Sequence, residues 1–216
     1  KDIETIKKNR KKIEVMTCDK AFGVLLEHGI KADYVMICDC NIPYRWLEPY
    51  INETANTSLI ATAYANTEWT TAWKGPRYFY VNLDAIDSQN KFWPIFGADT
   101  RTIPASSNVS NAMLVYMTGC DDKTKQNFAA YERYFLTGYD YCWAYGKEKN
   151  YRNYYAFNDP QPKRNYMAHR SLLDMNRNFA RPSENLFFSA RWLSQYIRSF
   201  DLPIINCSQQ GILEIP

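Results

Sequence analysis

Acidic side chains placed where a buried strand gives way to a loop are the first chemistry this 216-residue chain offers. Asp39 closes the apolar run 32–38, and Asp140 follows the shorter run 134–137 through Gly138 and Tyr139. A carboxylate at a strand's end can hold Mg²⁺ through water, and such an ion neutralises phosphate charge during group transfer. The same Asp can instead accept backbone N–H bonds from the turn that follows it. Ser107, Asn108, Ser110 and Asn111 form a second group, at the start of an apolar helical stretch. Unpaired N–H groups and the positive end of a helix dipole favour phosphate there, although Ser and Asn are also ordinary N-caps. Asn206 and Ser208 lie beyond a last strand, where contact with a nucleobase or ribose competes with plain turn formation.

These groups need a frame, and the pattern of apolar residues supplies one. Strands are expected near 12–17, 32–38, 59–65, 78–81, 134–137 and 203–207. The run 32–38 is continuously apolar, as in a strand buried on both faces. Between the strands lie helices. One is capped by Asp19, carries Ala21, Phe22, Leu25 and Leu26 inward, and stops at Gly29, where a left-handed residue belongs. Others are expected at 2–12, 44–50, 108–118 and 184–200, the last with a stripe of Leu186, Ala190, Leu193 and Ile197. Residues 84–107 read as an irregular loop, and 143–183 as polar and Tyr-rich with one strand-like patch at 154–157. Alternation of this kind implies an α/β fold: a three-layer α/β/α domain around a doubly wound, mostly parallel, Rossmann-like sheet. In such sheets ligands bind beyond the C-terminal ends of the strands, where all of the polar groups named above fall.

Composition narrows the classes. Hydrophobic residues make up 46% and charged residues 23%, which suits one globular domain and excludes a disordered chain. Residues 1–12 hold six Lys or Arg against two acids, while the remaining body is near neutral. That argues against a duplex-DNA binder and reads the basic start as a solvated helix. No apolar run reaches the length of a membrane helix, and no signal peptide is visible. The six cysteines have no C-x-x-C spacing and only two His accompany them, which argues against structural zinc and suggests a reducing, cytoplasmic setting. The four N-x-S/T sequons, at Asn52, Asn56, Asn108 and Asn206, then read as chance.

Several runs together resemble the 6-hydroxymethylpterin diphosphokinase-like (MptE-like) domain. His28-Gly29-Ile30-Lys31-Ala32-Asp33-Tyr34-Val35, ending in Asp39, is similar to its helix that feeds a strand ending in Asp. Asn108-Val109-Ser110-Asn111-Ala112 resembles its small-polar entry to a helix, and Phe135-Leu136-Thr137-Gly138-Tyr139-Asp140-Tyr141 its strand-Gly-x-Asp motif. Asn206-Cys207-Ser208-Gln209-Gln210-Gly211-Ile212-Leu213 is similar to its closing motif. The likeness runs in order over roughly residues 5–213. Ala32 stands where the family has Pro, and the chain begins where a Gly-Pro-Ser loop would have ended. The expectation is therefore a single domain over 1–216 without the family's first strand and nucleotide loop.

The resemblance implies a Mg²⁺-dependent, nucleotide-using transferase that moves diphosphate from ATP to a hydroxymethyl-pterin-like acceptor. Asp39 and Asp140 would hold the metal, and the helix start at Ser110 would meet phosphate oxygens. The family is related to flagellin-modifying proteins and resembles sialyltransferase-like folds. A glycosyltransferase using a nucleotide-activated sugar is thus the alternative, with His169 as general base on a glycan or small-molecule acceptor. His169 can equally be an exposed loop residue, and His28 reads as structural. The Tyr-rich stretch 139–166 offers either a stacking wall for a heterocycle or a packed loop layer. A third reading is a binding or structural module that kept the fold without the chemistry.

Overall fold

The apolar run at 32–38 becomes the second strand of a five-stranded parallel sheet. In this computed structural model the described residues are 2–82, 101–103, 108–119, 131–144, 172–173, 179–181, 184–208 and 211–215. The chain divides into two compact units, Lys1–Tyr116 and Met117–Pro216.

In the first unit, α1 (Asp2–Asn9) leads to β1 (Met16–Cys18), which runs directly into α2 (Asp19–Glu27). Then come β2 (Tyr34–Ile37), two 3₁₀ helices (Tyr44–Trp46 and Glu48–Asn56), β3 (Ser58–Thr62) and α3 (Thr67–Ala72). β4 (Arg77–Asn82), β5 (Arg101–Ile103) and α4 (Val109–Thr118) follow, the unit boundary falling near the end of α4. The strands lie in sequence order, β1 to β5, each parallel to the next. Every crossover among these five therefore steps in one direction, and the reversal of a doubly wound sheet is not within them.

Val35, Met36 and Ile37 are consecutive and each fully buried, as are Leu59, Ile60 and Ala61 beside them. Successive strand residues face opposite ways, so both faces of the sheet are covered at β2 and β3, and the sheet is the middle layer of three there. One face packs Val35, Ile37, Leu59 and Ala61 against Phe22 and Leu25 of α2 and Trp69 of α3. Arg10 fixes the entry to the sheet: its guanidinium donates to the carbonyls of Lys31 and Ile13 and to Asp33 Oδ1 at 2.7 Å. The second Asp33 oxygen accepts the Val15 N–H.

α2 ends as its sequence implies. Gly29 has φ +72°, and the N–H groups of Gly29 and Ile30 return to the carbonyls of Leu26 and Leu25. His28 is the C-cap, with Nδ1 2.9 Å from the Val24 carbonyl, a structural placement. The helix start differs by one residue: Cys18 is the N-cap and Asp19 is the first helical residue, because β1 enters α2 without a turn. Two short elements of this unit escaped the pattern, α3 and β5, the latter inside the stretch read as a loop.

The second unit pairs β6 (Tyr134–Leu136) in parallel with β10 (Ile204–Asn206). β7 (Trp143–Ala144), β9 (Phe179–Arg181) and β8 (Leu172–Leu173) form a small antiparallel sheet. The expected patch at 154–157 lies outside the described residues. The long helix is α5 (Glu184–Ser199), where Ala190, Leu193 and Ile197 are buried and Leu186 is half-buried. Trp192, Tyr196 and Phe200 stack along it, and the Tyr196 hydroxyl meets Thr118 Oγ1 at 3.0 Å. Among the described residues no helix is long and apolar enough to cross a membrane.

Candidate functional site

The C-terminal ends of β1 and β2 bring two acids together. Asp19 ends the β1 side and Asp39 the β2 side, two residues past Ile37. Asp39 is exposed, and its Oδ1 accepts the Asn41 N–H at 2.8 Å. That is the turn-forming bond, and it uses one of the two carboxylate oxygens. Asp19 is half-buried and accepts the N–H of Lys20 at 2.7 Å. Burial pushes its carboxyl above the usual range, and the charge of Asp39 pushes the same way.

Two thiols stand behind these acids. Cys18 and Cys38 are both pushed up to about 12, chiefly by burial and then by the charge of Asp19. Thiols held that high stay protonated at neutral pH and are poor nucleophiles. Cys18 and Cys38 are therefore not nucleophiles of this site. The next group along this edge is Tyr80, on the same sheet face as Cys18, Met36 and Thr62 by register. Its pKa is raised by burial, with Cys38 and Tyr64 as electrostatic neighbours.

A cation fits this donor set in a particular way. Among the described residues no group of three or more His, Cys, Asp and Glu side chains is placed to enclose a metal. A Mg²⁺ ion needs only one or two carboxylates and fills its remaining positions with water and phosphate oxygens. Asp39, exposed and with one oxygen unpartnered among the described residues, would be such a carboxylate, and Asp19, whose charge is disfavoured, the weaker donor beside it.

The small-polar group at the start of α4 is engaged locally. Asn108 Oδ1 accepts the Ser110 N–H at 2.9 Å, as an N-cap side chain does. Asn111 is fully buried, and both Ser110 and Asn111 have partners within the protein. Ser107 and His169 lie outside the described residues.

In the second unit, Asp140, Asn206 and Ser208 gather where β6 and β10 end. Ser208 Oγ accepts the Tyr139 N–H at 3.0 Å, and Asn206 Oδ1 accepts the Ser208 N–H at 3.0 Å. The Asp140 carbonyl accepts the Ile212 N–H, and Gly211, at φ +127°, presses against the Asp140 backbone. A Cβ there would sit 2.7 Å from Asp140 Cα, so only glycine fits. Asn206 Nδ2 is buried and unpartnered among the described residues. Asp39 and Asp140 belong to different units, and each is placed within its own.

A cavity of about 370 Å³, lined by Leu26, Glu27, Gly29, Lys31, Tyr50 and Glu53 among others, opens beside the C-terminal end of α2. It lies at the opposite end of the sheet from the acids, and its polar groups are paired, Tyr50 with Glu27 and Lys31 with Glu53.

Sequence reasoning singled out Asp39 but treated Asp19 as a cap only, and it passed over Tyr80. The signal for Asp19 was present: an acid directly after a strand, at the same end of the sheet as Asp39. For Tyr80 there was none, since alternation tells which face a residue takes and not whether its hydroxyl finds a partner.

The model of the 6-hydroxymethylpterin diphosphokinase MptE-like family matches residues 1–146. Among solved structures, the MAf glycosyltransferase from Magnetospirillum magneticum AMB-1 aligns with a TM-score of 0.62 at 19% identity. The alignment covers 99% of this chain and 30% of that one, and at such identity it speaks for the fold. No curated protein matches the chain.

Proposed function

The chain belongs to the 6-hydroxymethylpterin diphosphokinase MptE-like family, and on that premise we propose that it is a transferase with a nucleotide substrate at the C-terminal edge of β1–β5. The reaction the family description favours is diphosphate transfer from ATP to the hydroxymethyl group of a pterin-like acceptor. The acceptor oxygen forms a bond to the β-phosphorus while the bond from that phosphorus to the α,β-bridging oxygen breaks. AMP leaves with the electron pair, and the hydroxyl proton passes to a carboxylate or water.

The observation that carries this reading is the acid pair at adjacent strand ends, Asp19 and Asp39, with the Asp19 carboxyl disfavoured as an anion. Perturbed acids at this edge of a parallel sheet are where charge-handling chemistry is placed. Asp39, with Asp19 behind it, would hold Mg²⁺; when bound, the ion offsets the charge of the phosphate oxygens. Asp39 is held by its own turn bond to Asn41, which leaves its second oxygen, on an exposed residue, for the ion.

The reading is tested by incubating the chain with Mg²⁺–ATP and a hydroxymethyl-pterin and following AMP. Acceptor-dependent AMP release is expected. The likeness to a glycosyltransferase favours a second reading, transfer from a nucleotide-activated sugar. Nucleotide release from a CMP- or UDP-sugar, with none from ATP, would select it.

A further inference from the structure

We infer that Tyr80 is a binding residue of the same strand-end site, its hydroxyl donating a hydrogen bond to an uncharged acceptor atom on a heterocyclic substrate. The inference rests on the transferase reading above. Tyr80 is 1% exposed, and its hydroxyl oxygen is buried without a hydrogen-bond partner among the described residues. A buried hydroxyl left in this state costs stability and calls for an explanation, such as a ligand it is kept for. Tyr80 sits opposite Thr62 in the β3–β4 register, on the face that also carries Cys18 and Met36. Its electrostatic neighbours are the half-buried Cys38 and Tyr64, which is 49% exposed. The hydroxyl is thus an interior group on a residue level with the last position of β3, Thr62.

The chemistry of the acceptor follows from the surroundings. Tyr80 keeps its proton at any working pH, so it can donate. Its electrostatic neighbours, Cys38 and Tyr64, are uncharged at neutral pH, and among the described residues the cation Lys20 acts on Cys18 and Asp19 instead. A carbonyl or ring nitrogen of a planar heterocycle meets the requirement, with the exposed Tyr64 ring available as a flat apolar surface. Phosphates would lie toward the acids and the heterocycle toward Tyr80.

The test separates this inference from the reading it rests on by using half-ligands. Nucleosides and a pterin probe the heterocycle contact without phosphate, and Mg²⁺–tripolyphosphate probes the acid pair without a heterocycle. Wild type and Tyr80→Phe are compared for both, together with their ligand-free unfolding midpoints. At least one heterocycle should bind wild type, and Tyr80→Phe should weaken it by about 3- to 10-fold, the value of one hydrogen bond. Tripolyphosphate binding should be unchanged, and the ligand-free midpoint equal or higher, because the removed hydroxyl had no partner. Equal heterocycle affinity in the two proteins, or no heterocycle bound by wild type, overturns the inference. A lower midpoint for Tyr80→Phe also overturns it, since the hydroxyl would then be satisfied within the fold. Loss of tripolyphosphate binding in wild type counts against the acid pair alone.

Discussion

The strand ends of the two units carry similar residues and use them differently. In the first unit, five parallel strands, the central β2 and β3 covered on both faces, hold polar groups with capacity left over among the described residues: Asp19, half-buried with its charge disfavoured, Asp39 with one free oxygen, and Tyr80 with an unpaired hydroxyl. In the second, β6 and β10 form a two-stranded sheet whose Phe135 and Ile205 are cross-strand neighbours at 57% and 38% exposure. There Asn206, Ser208 and the Asp140 backbone are bonded to one another and to Tyr139 and Ile212. The difference separates two uses of the same chemistry. The second unit spends most of its bonds on closing a loop, with Asn206 Nδ2 left over, whereas the first leaves a carboxylate oxygen and a hydroxyl at its strand ends.

The largest expected effect lies in the second unit's core. Leu193→Ala should cost about 2–5 kcal/mol of stability by leaving a cavity where a fully buried side chain stood. An unchanged urea midpoint would show that α5 does not hold that unit together. Gly211→Ala comes next, at about 1–3 kcal/mol, because a side chain at φ +127° is strained and its Cβ meets the Asp140 backbone. A wild-type midpoint for that variant would mean that the Asp140 loop is not closed as described.

In the first unit the effect should change sign. Asp19 binds its proton more tightly in the folded state than in the unfolded chain, so stability falls as pH rises from the ordinary carboxyl range through the folded value. Asp19→Asn removes that loss and should raise the unfolding midpoint at neutral pH, with no gain at pH well below both values. A lower midpoint at pH 7 would place Asp19 among the loop-closing residues. The smallest effect is kinetic. Cys40, exposed, should react with a thiol reagent well before Cys18 and Cys38, which stay protonated until about pH 12. Equal labelling rates would remove the burial on which the site's electrostatics depend.

Much of the frame was legible because a parallel sheet leaves continuous apolar runs, as at 32–38, and because Gly29 marks a helix end by the conformation it alone adopts freely. β5 was not legible, since Arg101-Thr102-Ile103 is too short to show a period. Nor was α3, six residues with three Thr, which is held by the Asn66 cap and by burial of Trp69. At the site, sequence position located Asp39, Asn206 and Ser208 at strand ends. Whether each had bonds to spare depended on partners that fold in from elsewhere, such as Ser208 reaching Tyr139 across 69 positions.

The central claim is that the first unit's acid pair handles a cation and phosphate. Calorimetric titration of Mg²⁺–ATP into wild type and Asp39→Asn tests it most directly. The account predicts Mg²⁺-dependent binding in wild type, lost in Asp39→Asn while its unfolding midpoint stays equal or rises. Binding of Mg²⁺–ATP to Asp39→Asn with wild-type affinity would contradict it and leave Asp39 with the Asn41 turn as its whole role.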